Sequence, residues 1–277
     1  MLKQRIITAL VLLGLLIPAL FHPDPSWIAI AGLVLIGAAA WEWGRLNSLS
    51  RYQALWMTAA CAGFCIGVWQ LNLFDYFQRT FWLLWSAFGI LIGAYLLAGG
   101  VSRWTQSPVF FRLLFGAATL CSTWLALITS KNLGLDFLMS VLLLVWMADI
   151  AAYFSGRAWG KRKLAPSISP GKTWEGVAGA IVGVFVLAVV WLQSAMYFAF
   201  ASHSIFDRLY AHSPLIFAVG LLLLVTMSIV GDLLESMVKR SAGSKDSSNL
   251  LPGHGGVLDR IDALLPTLPL AVMLALV

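Results

Sequence analysis

The sequence predicts an all-α, polytopic integral membrane protein with about nine transmembrane helices. Its 277 residues are 60% hydrophobic and only 11% charged, with a mean hydropathy of +0.88. Soluble domains carry about 25% charged residues, so there is too little charge here to cover a water-facing surface. Apolar runs recur along the chain at lengths that cross a bilayer, about 20 residues each. They are too long and too unalternating for barrel strands, and lipid leaves the helix as the default because each backbone group must be paired internally.

In order, the apolar segments fall at 5–22, 26–44, 54–72, 81–98, 113–129, 135–155, 177–200, 214–234 and 261–277. The first follows Lys3 and Arg5 and imitates a signal peptide. The FHPDPS after it offers no small-x-small cleavage site, so it reads as an uncleaved helix. The next four carry Cys61, Cys65 and Cys121. Cys61 and Cys65 stand one turn apart but lack partners at zinc-site spacing, so they read as packing residues, with no disulfide indicated. The last segment contains Pro266 and Pro269 and is expected to be a short helix. No internal repeat interrupts the series, and one continuous membrane domain is expected.

Charge gives the orientation. With the N-terminus cytoplasmic, alternate loops place fifteen of the 18 basic residues inside and leave only Arg79, Lys131 and Arg208 outside. That asymmetry satisfies the positive-inside rule. The formal net charge of +6 follows from the same loops; with no aromatic-rich basic domain, a nucleic-acid partner is not expected. The two richest polar loops, 156–176 and 238–260, fall on the same cytoplasmic side, so they can build one site.

Along GDLLESMVKR, Asp232, Glu235, Ser236 and Lys239 recur at i, i+3, i+4 and i+7 and share one helix face, with Arg240 at its edge. An intramembrane aspartate costs roughly 2.5–3.5 kcal/mol on insertion scales and marks a cavity, a partner or a metal. Lys239 and Arg240 equally suit membrane anchors. PGHGGVLDRID, residues 252–262, adds His254 and three glycines, Gly253, Gly255 and Gly256, that permit positive φ and close backbone approach. Amides in such a turn form an anion-binding nest. Asp259 and Asp262 follow on one face with Arg260 between them. The loop after Asp149 supplies Arg157, Lys161, Arg162, Lys163 and Lys172 among glycines and prolines. Gly171-Lys172-Thr173 is not a P-loop, which needs glycine where Pro166 stands and a preceding strand. Such a loop suits phosphates or an anionic lipid surface, Lys172 favouring the former. Acids for a hard cation beside groups for phosphate oxygens fit Mg²⁺ and phosphoryl or nucleotidyl transfer on a lipid. An ion-coupled transporter using Asp149, Asp232 and Asp259 is the alternative from another class.

The stretch from Ser236 through Lys239, Arg240, Lys245, Asp246 and the PGHGG turn to Asp259, Arg260 and Asp262 resembles the signature of the phosphatidate cytidylyltransferase, or CDP-diacylglycerol synthase, family. SPGKTWEG, residues 169–176, is similar to that family's second block. Residues 1–130 add little beyond hydrophobicity and a family-like Trp41-Glu42-Trp43. Ala263 departs from the serine common there. The resemblance implies that CTP and phosphatidic acid give CDP-diacylglycerol and pyrophosphate with Mg²⁺. It implies a homodimeric, multi-pass protein of the plasma (inner) membrane with a cytoplasmic site, and a C-terminal catalytic part over 131–277 behind N-terminal helices over 1–130. Asp232 and Asp259 match the family's metal-associated acids, with Asp149 and Asp262 as further candidates. Lys239, Arg240, Lys172 and Arg260 would clamp phosphates, Ser236 and Lys245 belong to the same substrate-binding set, and Gly255 and Gly256 would admit the nucleotide. His254 would donate a proton or a hydrogen bond. A CTP-dependent lipid kinase is the nearer enzymatic rival.

Overall fold

The computed structural model describes residues 2–198 and 202–276, and the expected apolar segments fall largely on helices, except that the last, 261–277, is broken by a turn at 262–263. The expected spans 177–200 and 261–277 run at their ends into positions outside these residues. The helices are α1 (Leu2–Phe21), α2 (Ser26–Leu46), α3 (Arg51–Gln70), α4 (Arg79–Gln106), α5 (Val109–Leu133), α6 (Leu135–Trp159), α7 (Trp174–Tyr197), α8 (Ile205–His212), α9 (Pro214–Ser241), α10 (Leu258–Ile261) and α11 (Leu264–Ala275).

Among the described residues six helices are long and apolar enough to cross a membrane: α2, α4, α5, α6, α7 and α9. The expectation of about nine is reduced for identifiable reasons. Arg51, Gln53, Thr58 and Gln70 dilute the apolar character of α3, and α11 is only 12 residues long. The described apolar part of α1 is also short, Ile7–Phe21.

The bundle is centred on α11, which packs against α5, α9 and α4. Two buried indoles find backbone partners: Trp124 Nε1 donates to the Ala29 carbonyl and Trp43 Nε1 to that of Arg112, each at 2.9 Å. This ties α2 to α5 without leaving either N–H stranded in an apolar medium. Helices α6 and α7 approach most closely where small residues face one another. A Cβ on Gly179 would lie 1.9 Å from Ser155 Oγ, so only glycine fits there.

Between α6 and α7 the basic loop folds into a feature not anticipated from the sequence. Strands β1 (Lys163–Ala165) and β2 (Ser169–Thr173) form an antiparallel hairpin. Its second strand runs directly into α7, whose first turn Thr173 caps by accepting from the Gly176 amide at 3.1 Å. The hairpin therefore enters the bundle at a fixed angle, with Lys172 one residue before the cap.

Candidate active site

The two polar loops meet at one end of the bundle. Arg240, in the last turn of α9, donates from Nε to the Ile168 carbonyl in the hairpin turn and from Nη1 to that of Ser244, both at 3.2 Å. This staple brings Lys172 on β2 to Asp232 on α9, with Nζ 2.7 Å from Oδ2. Ser236 Oγ donates to the other Asp232 oxygen at 3.2 Å. Asp149 of α6 joins Lys172 and Asp232 in lining a cavity of about 470 Å³, together with Tyr153, Arg157 and Ser169.

The second group lies deeper. Lys239 Nζ is 2.6 Å from both Glu235 Oε2 and Asp259 Oδ1, with side-chain exposures of 12%, 1% and 8% in that order. A lysine this enclosed between two acids is held by charge on both sides, and its removal would leave two buried carboxylates without their shared cation. Asp259 also accepts from the Gly256 amide at 2.8 Å, the Ser247 amide at 3.0 Å and Ser247 Oγ at 3.0 Å. Burial disfavours its charged form, but the Lys239 hydrogen bond and these backbone amides outweigh burial and hold the carboxyl at about 2. It therefore stays charged at neutral pH.

Asp232 and Asp259, expected together at a metal, thus enter separate ion pairs. Asp262 lies at the corner between α10 and α11, where its carbonyl packs so closely on α9 that a Cβ on Gly231 would meet it at 2.4 Å. There its carboxyl lies within electrostatic reach of Asp232 and Asp149. No group of three or more His, Cys, Asp or Glu side chains among the described residues is arranged to hold a metal by itself. Mg²⁺ needs less from protein, since one or two carboxylates plus substrate phosphates suffice. Two acids on the cavity wall, with the Lys172 ammonium now balancing one of them, fit that requirement.

In the glycine turn, Gly253 (φ 79°) and Gly255 (φ 88°) adopt the left-handed conformations that the sequence suggests. The close approach at Gly256 is to the chain itself: a Cβ there would lie 1.9 Å from Ser247 Oγ and 2.5 Å from Glu42 Oε1. The His254 amide donates to the Leu251 carbonyl at 2.8 Å, its own carbonyl accepts from Arg260 Nη2, and its buried Nδ1 has no partner among the described residues. Lys245 is exposed on the loop after α9. Arg162 lies apart from the cavity, paired with Glu175 at 3.3 Å and 79% exposed.

Two side chains escaped the sequence reading, Ser247 and Ser248, and a third, Glu42, appeared there only within Trp41-Glu42-Trp43, without a role. Glu42 is fully buried and accepts from the Val257 and Leu258 amides and from the Ser248 hydroxyl, with Ser247 Oγ 3.2 Å away. An acid inside an otherwise apolar span was the signal available to find it.

A helical multi-pass bundle with clustered cations and carboxylates at one end is an architecture suited to handling phosphates at a membrane. The chain belongs to the cytidylyltransferase family, whose sequence profile matches residues 3–277. A phosphatidate cytidylyltransferase of Haemophilus influenzae is 36% identical across 97% of this chain and 96% of its own. One from Pseudomonas aeruginosa is 39% identical, with coverage of 97% and 95%. One from Bacillus subtilis is 41% identical over about half of each chain, 49% here and 46% there.

Proposed function

We infer that this protein transfers a cytidylyl group from CTP to phosphatidic acid, giving CDP-diacylglycerol and pyrophosphate for phospholipid synthesis. The observation that carries this reading is the match to phosphatidate cytidylyltransferases over nearly the whole chain. The Lys172–Asp232–Asp149 cavity supplies a physical basis for it.

The reaction must bring two polyanions together, so electrostatic stabilisation is the dominant requirement. A lipid phosphate is already an anion near neutral pH and needs no strong base. One of its oxygens attacks the α-phosphorus of CTP in line; the bond from that phosphorus to the β-bridging oxygen breaks, and pyrophosphate leaves. Lys172 is the residue best placed to receive nucleotide phosphates, because exchanging Asp232 for a phosphate keeps its charge matched. Lys239 is committed to Glu235 and Asp259, and Arg240 to two carbonyls, so both support the pocket walls in this state. Asp232 and Asp149 are the residues that would hold Mg²⁺, with Asp262 and the Asp259 segment beside them. When bound, the ion supplies positive charge against the triphosphate and the departing pyrophosphate. His254 and Arg260 would border the nucleotide through the glycine turn.

The charge asymmetry of the loops supports an N-terminus and site on the cytoplasmic side of the plasma (inner) membrane. A homodimer and the division into helices over 1–130 and a catalytic part over 131–277 belong to the same proposal.

Purified protein given phosphatidic acid and CTP labelled at the α-phosphate tests it. Label should move into lipid. Label recovered in CDP would instead identify a kinase, and no turnover would return the transporter reading. A second measurement separates the two basic groups of the hairpin. Lys172→Ala should raise the KM for CTP about tenfold or more, the scale of a lost charged hydrogen bond, while Arg162→Ala should change it by less than about twofold. Equal effects would show that the hairpin binds the nucleotide along its exposed edge.

A further inference from the structure

We infer that Glu42 of α2 is a positioning residue for this site: its carboxyl fixes the segments on both sides of the glycine turn and so holds Asp259 in place. The inference rests on the proposed cytidylyl transfer for its activity readout, though its geometry stands apart from it.

Glu42 sits in the N-terminal half, far in sequence from the phosphate-suited residues, and has no exposed surface. A buried carboxyl without partners is costly, so its hydrogen bonds reveal its role. Oε1 accepts from Ser248 Oγ at 2.5 Å and the Val257 amide at 2.9 Å; Oε2 accepts from the Leu258 amide at 2.6 Å and lies 3.2 Å from Ser247 Oγ. Val257 and Leu258 open α10, where backbone donors have no helical acceptor of their own. One side chain therefore ties both arms of the turn to a membrane helix. Ser247 links this anchor to Asp259, because its hydroxyl is 3.0 Å from Asp259 Oδ2 and its amide donates to the same carboxylate. Simple packing would be served by an apolar side chain; three donors converging on one buried carboxyl would not.

The test uses the full-length protein in detergent. Glu42→Gln presents an NH₂ group where one pair of donors now finds an oxygen. Its kcat should fall roughly 10- to 100-fold, as for residues that orient a site from behind, with the KM for CTP within about threefold of wild type. Hydrogen exchange at residues 257 and 258 should accelerate relative to the rest of the bundle. Asn47→Ala, which removes the buried Asn47 Nδ2 bond to the Trp43 carbonyl on the same helix, should lower the melting temperature without this kcat change. Unchanged activity per folded molecule in Glu42→Gln, or unchanged exchange at 257–258, would overturn the inference. If Glu42→Gln does not accumulate, Ser248→Ala decides, since it removes a single donor: a fall in kcat of about threefold supports the role, and wild-type kcat overturns it. A wild-type protein that makes no CDP-diacylglycerol would defeat the functional reading, and the exchange result would still judge the anchor.

Discussion

Asp259→Asn should reduce turnover by about 10³-fold or more, or about 4 kcal/mol at tenfold per 1.36 kcal/mol, in protein that remains inserted and folded. The reason lies in the donors that converge on this carboxylate. It takes Lys239 on one oxygen, and the Gly256 amide and the Ser247 amide and hydroxyl on the other. An asparagine offers one acceptor oxygen in place of two and removes the charge facing Lys239. Lys239 would then lean wholly on Glu235, and the glycine turn would lose what holds its last residue against α10. Measurement of kcat in detergent at saturating Mg²⁺, beside a melting curve, checks this. Near-normal turnover would remove Asp259 from the chemistry and leave it a structural acid.

The second large effect is on stability. Lys239→Met leaves Glu235 and Asp259 facing each other without their shared cation. Breaking a buried pair by removing one partner costs about 3–5 kcal/mol. At about 2–4 °C per kcal/mol for a chain of this size, the melting temperature should fall by about 10 °C. The double variant Glu235→Gln, Lys239→Met removes one of the stranded charges and should recover part of that loss without recovering activity. Both arms matter: a single variant melting like wild type would mean that the triad carries no net stability. Recovery of activity in the double variant would mean that Lys239 acts only through Glu235.

The architecture was open to reading from the sequence because lipid imposes one rule over long stretches. All the expected apolar segments but the last, which a turn at 262–263 divides, fall on single helices, since no other spanning structure pairs its backbone internally. The number that cross the membrane was harder, because α3 is long but diluted with polar residues and α11 is short. Within the site, local geometry was legible: Glu235 and Lys239 share a helix face at i, i+4 and do pair. Partnerships across the fold were not. Nothing in the spacing of Lys239 says that its second acid is Asp259, or that Lys172 faces Asp232. The hairpin was missed because three- and five-residue strands rich in proline, glycine and lysine carry no alternating pattern. Glu42 was visible as an acid in an apolar run, but its donors come from the opposite end of the chain.

That separation has a consequence for how the protein is made. Glu42 and Leu258, joined by a 2.6 Å hydrogen bond, are 216 residues apart. At 5–20 residues per second, a ribosome takes about 10–40 s to cover that distance. Throughout that interval α2 can already be inserted, with its acid awaiting the donors that will satisfy it. The nascent protein must shelter that group with water, lipid headgroups or the insertion machinery until the glycine turn emerges and docks. Docking of the glycine turn onto α2 is therefore a late, long-range step, and a chain halted before residue 257 lacks the backbone donors that satisfy Glu42.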